Sequence, residues 1–258
     1  MRLSDIFIMT KGTRVILAIT LSVSTVAIIF AFFYYRTINR AADPRVKKAG
    51  EYLQLFDKVS GSKESIDSFY LLDSAAAVFS SLPDYRQSFE NGVIYNNKCS
   101  SLLINAIYDT SISENEKNVL LSLSIKYCDS SIAVYKKWLA DWEDLTPQEI
   151  ERRIKPYMQP DDLAFKGFNY DRIISRRIKD IGLAGIETRR RLSVSLTNRG
   201  MIFRHMMMPD SSIKCYTEAL ELWEDNRIAK SNLNVLMGGE PVKPGIIESL
   251  FPPDRRKK

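Results

Sequence analysis

The chain has 258 residues, of which 45% are hydrophobic and 26% charged, with a formal net charge of +6. That length and balance suit one sizeable packed domain or two small ones, and the mild positive charge is no ground by itself for a nucleic-acid partner. Cys99, Cys128 and Cys215 are an odd, scattered set without CxxC spacing, which argues against a zinc site and against a disulfide framework. Three small buried hydrophobes are the preferred reading, with a Cys99–Cys128 bridge left open outside the cytosol.

Residues 1–14 form a short basic tail, and Val15 to Tyr35 follows without a charge. As a helix this run covers roughly 31 Å, enough to cross a bilayer core of about 30 Å. Phe32, Phe33, Tyr34 and Tyr35 stand where an aromatic belt would anchor one end. The run exceeds a signal-peptide core and no A-x-A site follows closely, so an uncleaved anchor is expected. Orientation is argued two ways. Arg2, Lys11 and Arg14 precede the span, whereas Arg36, Arg40, Arg45, Lys47 and Lys48 follow it, so a positive-inside count favours a cytoplasmic C-terminus. A short basic tail before a first hydrophobic span is also the layout of a signal anchor, which sends the bulk of the chain outward. The outward orientation is adopted, with the domain on the periplasmic side of a bacterial inner membrane.

After a linker over 36–43, the chain reads as helices. Asp43-Pro44 offers a cap and a proline start for a helix through Phe56, with Val46, Ala49, Leu53 and Phe56 at helical spacing. Ser60-Gly61-Ser62 breaks the run, and a second helix from Lys63 to Ser81 ends before Pro83. Helices are expected over Tyr85–Tyr108, Glu114–Cys128 and Ser130–Trp142. Thr146-Pro147-x-Glu149 then opens another with a cap, an N1 proline and an N3 glutamate. Prolines and glycines make 156–186 the irregular stretch, with a short helix at Tyr170–Ile181 and clean periodicity from Glu187. No alternating strands appear, so the fold is expected to be all-α.

Asn198 in "SLTNRG" recurs as Asn232 in "AKSNLN", 34 positions on, the length of a tetratricopeptide hairpin. Between them Gly200, Phe203, Ser212, Tyr216, Ala219, Leu220 and Leu222 stand at the small and aromatic positions of that motif, and the segment resembles the tetratricopeptide repeat family. The terminal proline of the family is replaced by Glu224. The resemblance implies two antiparallel helices that touch at Gly200, Ser212 and Ala219, with Tyr216 and Phe203 filling the wedge and the turn at Met207–Asp210. "SIAVYKKWLADWEDLTP" echoes a second helix, and Asn91 is matched with Asn198. The best repeat covers 191–224, degenerate repeats cover 44–155, and the helical domain as a whole runs over 44–237. A single hairpin cannot bury its faces alone, so the resemblance implies an α-solenoid.

His205, the sole histidine, lies beside Met201 and Met206–Met208. A thioether–imidazole Cu(I) site is chemically reasonable, but adjacent methionines on one helix cannot converge on one ion, and gap-filling methionines are preferred. No metal or cofactor is expected. No phosphate loop and no Ser/His/Asp spacing is present, and Asp161-Asp162 and Glu143-Asp144 read as solvated caps, so no catalytic residue is assigned. Arg172, Arg176, Arg189, Arg190 and Arg191 belong to a basic concentration that is either a solvated face or a dock for an acidic protein or anionic lipid. Nucleic acid is not expected, because aromatic interleaving is sparse there. Asn198, Asn232 and Arg199 are expected to line a partner surface, with a structural hydrogen bond as the competing reading. In the tail over 238–258, Ile246, Ile247, Leu250 and Phe251 either pack back as a cap or dock elsewhere.

The expected whole is a single-pass protein-binding scaffold with protein partners and no small-molecule substrate. In architecture alone it resembles the periplasmic collar proteins of spirochete flagellar motors and the anchored periplasmic chaperones associated with the secretion translocon.

Overall fold

The computed structural model describes residues 10–40, 42–60 and 65–243. Helices dominate, and no strand occurs among the described residues. The side chains at the expected aromatic belt, the break at Gly61-Ser62 and the tail from Pro244 lie outside the described residues. The chain falls into two compact units, one drawn from Met1–Pro44 and Pro160–Arg177, the other from Arg45–Gln159 and Ile178–Lys258.

In the first unit, α1 (Lys11–Arg40) contains a 21-residue stretch of mean hydropathy 2.2, long and apolar enough to cross a membrane, with none of it buried. Two of its hydroxyls are satisfied within the helix: Thr20 Oγ1 donates to the Ile16 carbonyl and Thr25 Oγ1 to that of Leu21. The helix outruns the expected span and takes in most of the expected linker, because no glycine or proline stands between Tyr35 and Pro44. Phe165 and Ile173 are buried in this unit, with Phe165 edge-on to Tyr170.

The second unit begins with α2 (Lys47–Val59) and α3 (Phe69–Ser81). Ala49, Phe56, Leu72, Ala75 and Phe79 form their shared core, closed by Tyr85 and Ile94. Arg45 and Asp84 make a buried ion pair at 2.8 Å, and Arg45 also donates to the Tyr157 carbonyl at 2.8 Å. Removing one partner would leave the other charge buried and unpaired, so the pair fixes this corner more than it stabilises it.

Next come α4 (Phe89–Tyr108) and α5 (Glu114–Trp142), a long antiparallel hairpin. The expected break at Asp129 does not occur. Asp129 faces Arg199 at 2.9 Å, Ser130 bonds back to the Lys126 carbonyl, and Cys128 and Ser131 on either side are buried, so packing carries the helix through. Facing positions on the pair bring the Cα atoms of Cys99 and Cys128 to 5.3 Å, and the two are disulfide-bonded. The reading of three free hydrophobes therefore holds only for Cys215, whose thiol burial pushes up.

The short α6 (Pro147–Ile154) starts at the expected capping box, with Thr146 and Glu149 exchanging hydrogen bonds. The irregular stretch is shorter than expected. Two 3-10 turns, Lys155–Tyr157 and Leu163–Phe165, precede a single 36-residue helix, α7 (Tyr170–His205), which runs through Gly182 and Gly185. A Cβ at Gly185 would meet Glu143 at 3.6 Å, an ordinary contact, so no close approach requires glycine there and the helix runs through it. The turn at Met206–Met208, with Met207 at φ 58°, leads into α8 (Pro209–Leu222) with proline in its first turn, and α9 (Arg227–Leu236) follows.

A candidate partner-binding groove

The contact between α7 and α8 is built on a missing side chain. A Cβ at Gly200 would lie 2.5 Å from the Tyr216 ring, so only glycine lets the helices approach this closely. Ser212 Oγ donates to the Gly200 carbonyl at 2.7 Å and Ser193 Oγ to the Ala219 carbonyl at 2.7 Å, tying backbone to backbone through two small residues. Tyr216 and Ala219 are fully buried, and Leu220 and Leu222 pack on the same cluster. Phe203 holds the Arg199 guanidinium over its ring.

The same device occurs in α4 and α5. A Cβ at Gly92 would collide with the Tyr135 ring, and Ser131 Oγ donates to the Gly92 carbonyl at 2.9 Å. The sequence carries the duplication openly. Ser131-Ile132-x-x-Tyr135-x-x-x-Leu139-x-x-Trp142-Glu143-Asp144 is repeated as Ser212-Ile213-x-x-Tyr216-x-x-x-Leu220-x-x-Trp223-Glu224-Asp225, and Gly92-x-Ile94-Tyr95 as Gly200-x-Ile202-Phe203. Each tryptophan also lies under an arginine, Arg153 over Trp142 and Arg190 over Trp223. This register places Glu90, one residue before Asn91, opposite Asn198. Asn91 instead donates to the Tyr85 and Arg86 carbonyls.

Where the two hairpins meet, α5, α7 and α8 leave a groove of about 480 Å³. Leu139, Leu192, Leu196 and Leu222 form its apolar lining, and Lys136, Glu143, Arg189, Glu218 and Glu221 its charged rim. Lys136 faces Glu218 at 4.0 Å, and Arg189 makes a two-pronged pair with Glu143, one arm at 2.8 Å. The hydrogen bonds and charge of Glu143 push the Arg189 guanidinium above its ordinary value. Glu143 thus stands at the C-cap of α5, but its carboxylate is paired at the groove rim and not solvated as read from the sequence. With three carboxylates against two cations, and an apolar lining, the groove suits an apolar segment bearing a basic group.

The other residues selected from sequence are placed as follows. Asn198 donates to Asn96 Oδ1 at 3.2 Å and Ser100 Oγ at 2.9 Å, within a polar network in which Ser195 also bonds Asn96 and Ser131. Its amide N–H groups are spent between α4 and α7, which is the structural reading. Asn232 is half-buried on α9. Arg199 pairs with Asp129, Arg190 with Glu187, and Arg191 lies over Phe89. Arg172 is exposed and Arg176 half-buried, in the first unit. Arg189, Arg190, Arg191 and Arg199 are thus each taken up by a separate neighbour within the second unit. His205 is exposed at the end of α7, its pKa lowered by partial desolvation and the Lys117 and Arg204 cations. Met201 and Met206 pack into the core, and among the described residues no group of three His, Cys, Asp or Glu could hold a metal ion.

No known family model, curated protein or solved structure matches the chain.

Proposed function

We propose that the chain is a membrane-anchored, tetratricopeptide-like scaffold whose groove between α5, α7 and α8 binds a protein partner. The observation that carries this reading is the duplicated glycine–tyrosine hairpin: two copies of one packing unit stacked side by side, with an open groove at their junction. Stacked hairpins bury their cores against one another and leave concave surfaces that bind extended or helical peptide. The apolar α1 would hold this module at a membrane. The fully buried Cys99–Cys128 bond supports placing the domain on the oxidising side, the periplasm of a bacterial inner membrane, since such bonds persist outside the reducing cytosol.

Two roles share this architecture, a component of an envelope assembly such as a flagellar-motor collar and a chaperone beside the secretion translocon. Affinity capture of the anchored chain from its native membrane separates them. One dominant partner in fixed ratio is expected for the scaffold. A spread of unfolded clients would assign the chaperone role, and capture of no protein would reject both.

A further inference from the structure

Helix α9 leaves one face uncovered. Ala229, Leu233 and Leu236 pack into the core, whereas Ile228 is 61% exposed and Val235, seven residues on and on the same face, is half-buried. Ser231 stands between them, and here the chain returns. After the turn at Gly238 (φ 84°), where the Gly239 N–H donates to the Asn234 carbonyl, the backbone doubles back and the Val242 N–H donates to Ser231 Oγ at 3.2 Å. In five residues the chain has moved from the C-terminal end of α9 back to its middle.

The residues beyond Lys243 lie outside the described ones, but covalent reach limits them. Ile246 follows Val242 by four residues, at most about 14 Å of chain, and α9 itself is only about 15 Å long. Ile246, Ile247, Leu250 and Phe251 therefore begin within reach of Ile228. Arg255, Arg256, Lys257 and Lys258 come after them, and the exposed Glu221, Glu224 and Asp225 lie just before α9, the end toward which the returning chain is heading. Charge sign and direction agree.

We propose that Ile246–Phe251 docks on the Ile228–Val235 face of α9, with the basic residues that follow lying toward Glu224 and Asp225. A short tether gives the segment an effective concentration of about millimolar at this face, so a modest apolar contact outcompetes a second copy or a dilute partner.

A photoreactive phenylalanine analogue at position 251, in the full-length chain in its membrane, tests this. The expected product is an intramolecular cross-link to the peptide spanning Arg227–Leu236 in a chain of monomer mobility. Ile228→Asp, with helix content unchanged, is expected to lower its yield roughly tenfold, the effect of about 1.4 kcal/mol of lost contact. Cross-links to a second copy, to another protein, or to none of the α9 residues would overturn the proposal. So would an undiminished yield in the folded variant.

Discussion

Single residues decide how closely the helices approach, as the 2.5 Å between a Cβ at Gly200 and the Tyr216 ring shows. Gly200, Ser212, Tyr216 and Ala219 are legible because a small-residue and aromatic pattern at hairpin spacing has one economical packing. Asn198 was legible as an unusual residue but not in its role, since nothing local shows that Asn96 and Ser100, about a hundred positions away, supply its acceptors. Gly200→Ala is expected to lower unfolding free energy by about 1–3 kcal/mol, because the opposing Tyr216 ring is fully buried and has nowhere to move. Gly50→Ala, where a Cβ meets nothing within 4 Å, is the control, expected to be neutral or to stabilise by up to about 1 kcal/mol. Denaturant unfolding of both variants checks the contrast.

At the scale of elements, the ends at Ser81, Tyr108 and Trp142 and the starts at Glu114 and Tyr170 fall where the sequence puts them, whereas the starts expected at Lys63 and Tyr85 fall at Phe69 and Phe89. The Thr146–Glu149 box works through four consecutive residues, so sequence alone reveals it. The continuity of α5 through Asp129 and of α7 through Gly182 and Gly185 depends on neighbours that a local pattern does not contain, and glycine's cost of about 1 kcal/mol in a helix is offset by that packing. The duplicated Ser-Ile-x-x-Tyr signature was visible in principle, but α4 and α5 run on well past the glycine–tyrosine contact before they turn, whereas α7 and α8 turn just beyond it, which hides a fixed repeat length. The caps make a pH prediction. Hydrogen bonds from the backbone and hydroxyl of Ser113 lower the Glu116 pKa, and those from the hydroxyl and backbone of Thr146 lower that of Glu149. A carboxylate with a lowered folded pKa contributes stability above its ordinary value of 4.5 and loses it as pH falls through the folded value. The melting temperature of the wild type should therefore exceed that of Glu116→Gln/Glu149→Gln at pH 7, with the gap closing as pH drops below 4.5. The Cys99–Cys128 bond bridges a separation of 29 residues, for which chain entropy gives about 3–4 kcal/mol. Reductant should lower stability by that order and raise the titratable thiols of the unfolded chain from one, Cys215, to three.

Across the whole molecule, one long apolar helix and a helical domain were legible from hydropathy and periodicity. The groove was not, because its walls come from three helices far apart in sequence and only Arg189 among the suspected binding residues lines it. The proposed outward topology predicts that an impermeant thiol reagent labels a cysteine introduced at Lys137, an exposed α5 position, in intact spheroplasts, and labelling only after lysis would reverse it. Partner binding in the groove rests on an apolar lining with an excess of carboxylate at the rim. The most direct test is paired capture from native membranes of the wild type and of Glu218→Arg/Glu221→Arg, each checked for helix content by circular dichroism. Reversing two rim charges against a basic partner should reduce recovery of the fixed-ratio protein by roughly tenfold or more, the equivalent of at least about 1.4 kcal/mol. Equal recovery by a folded variant would contradict the assignment of the groove as the binding site.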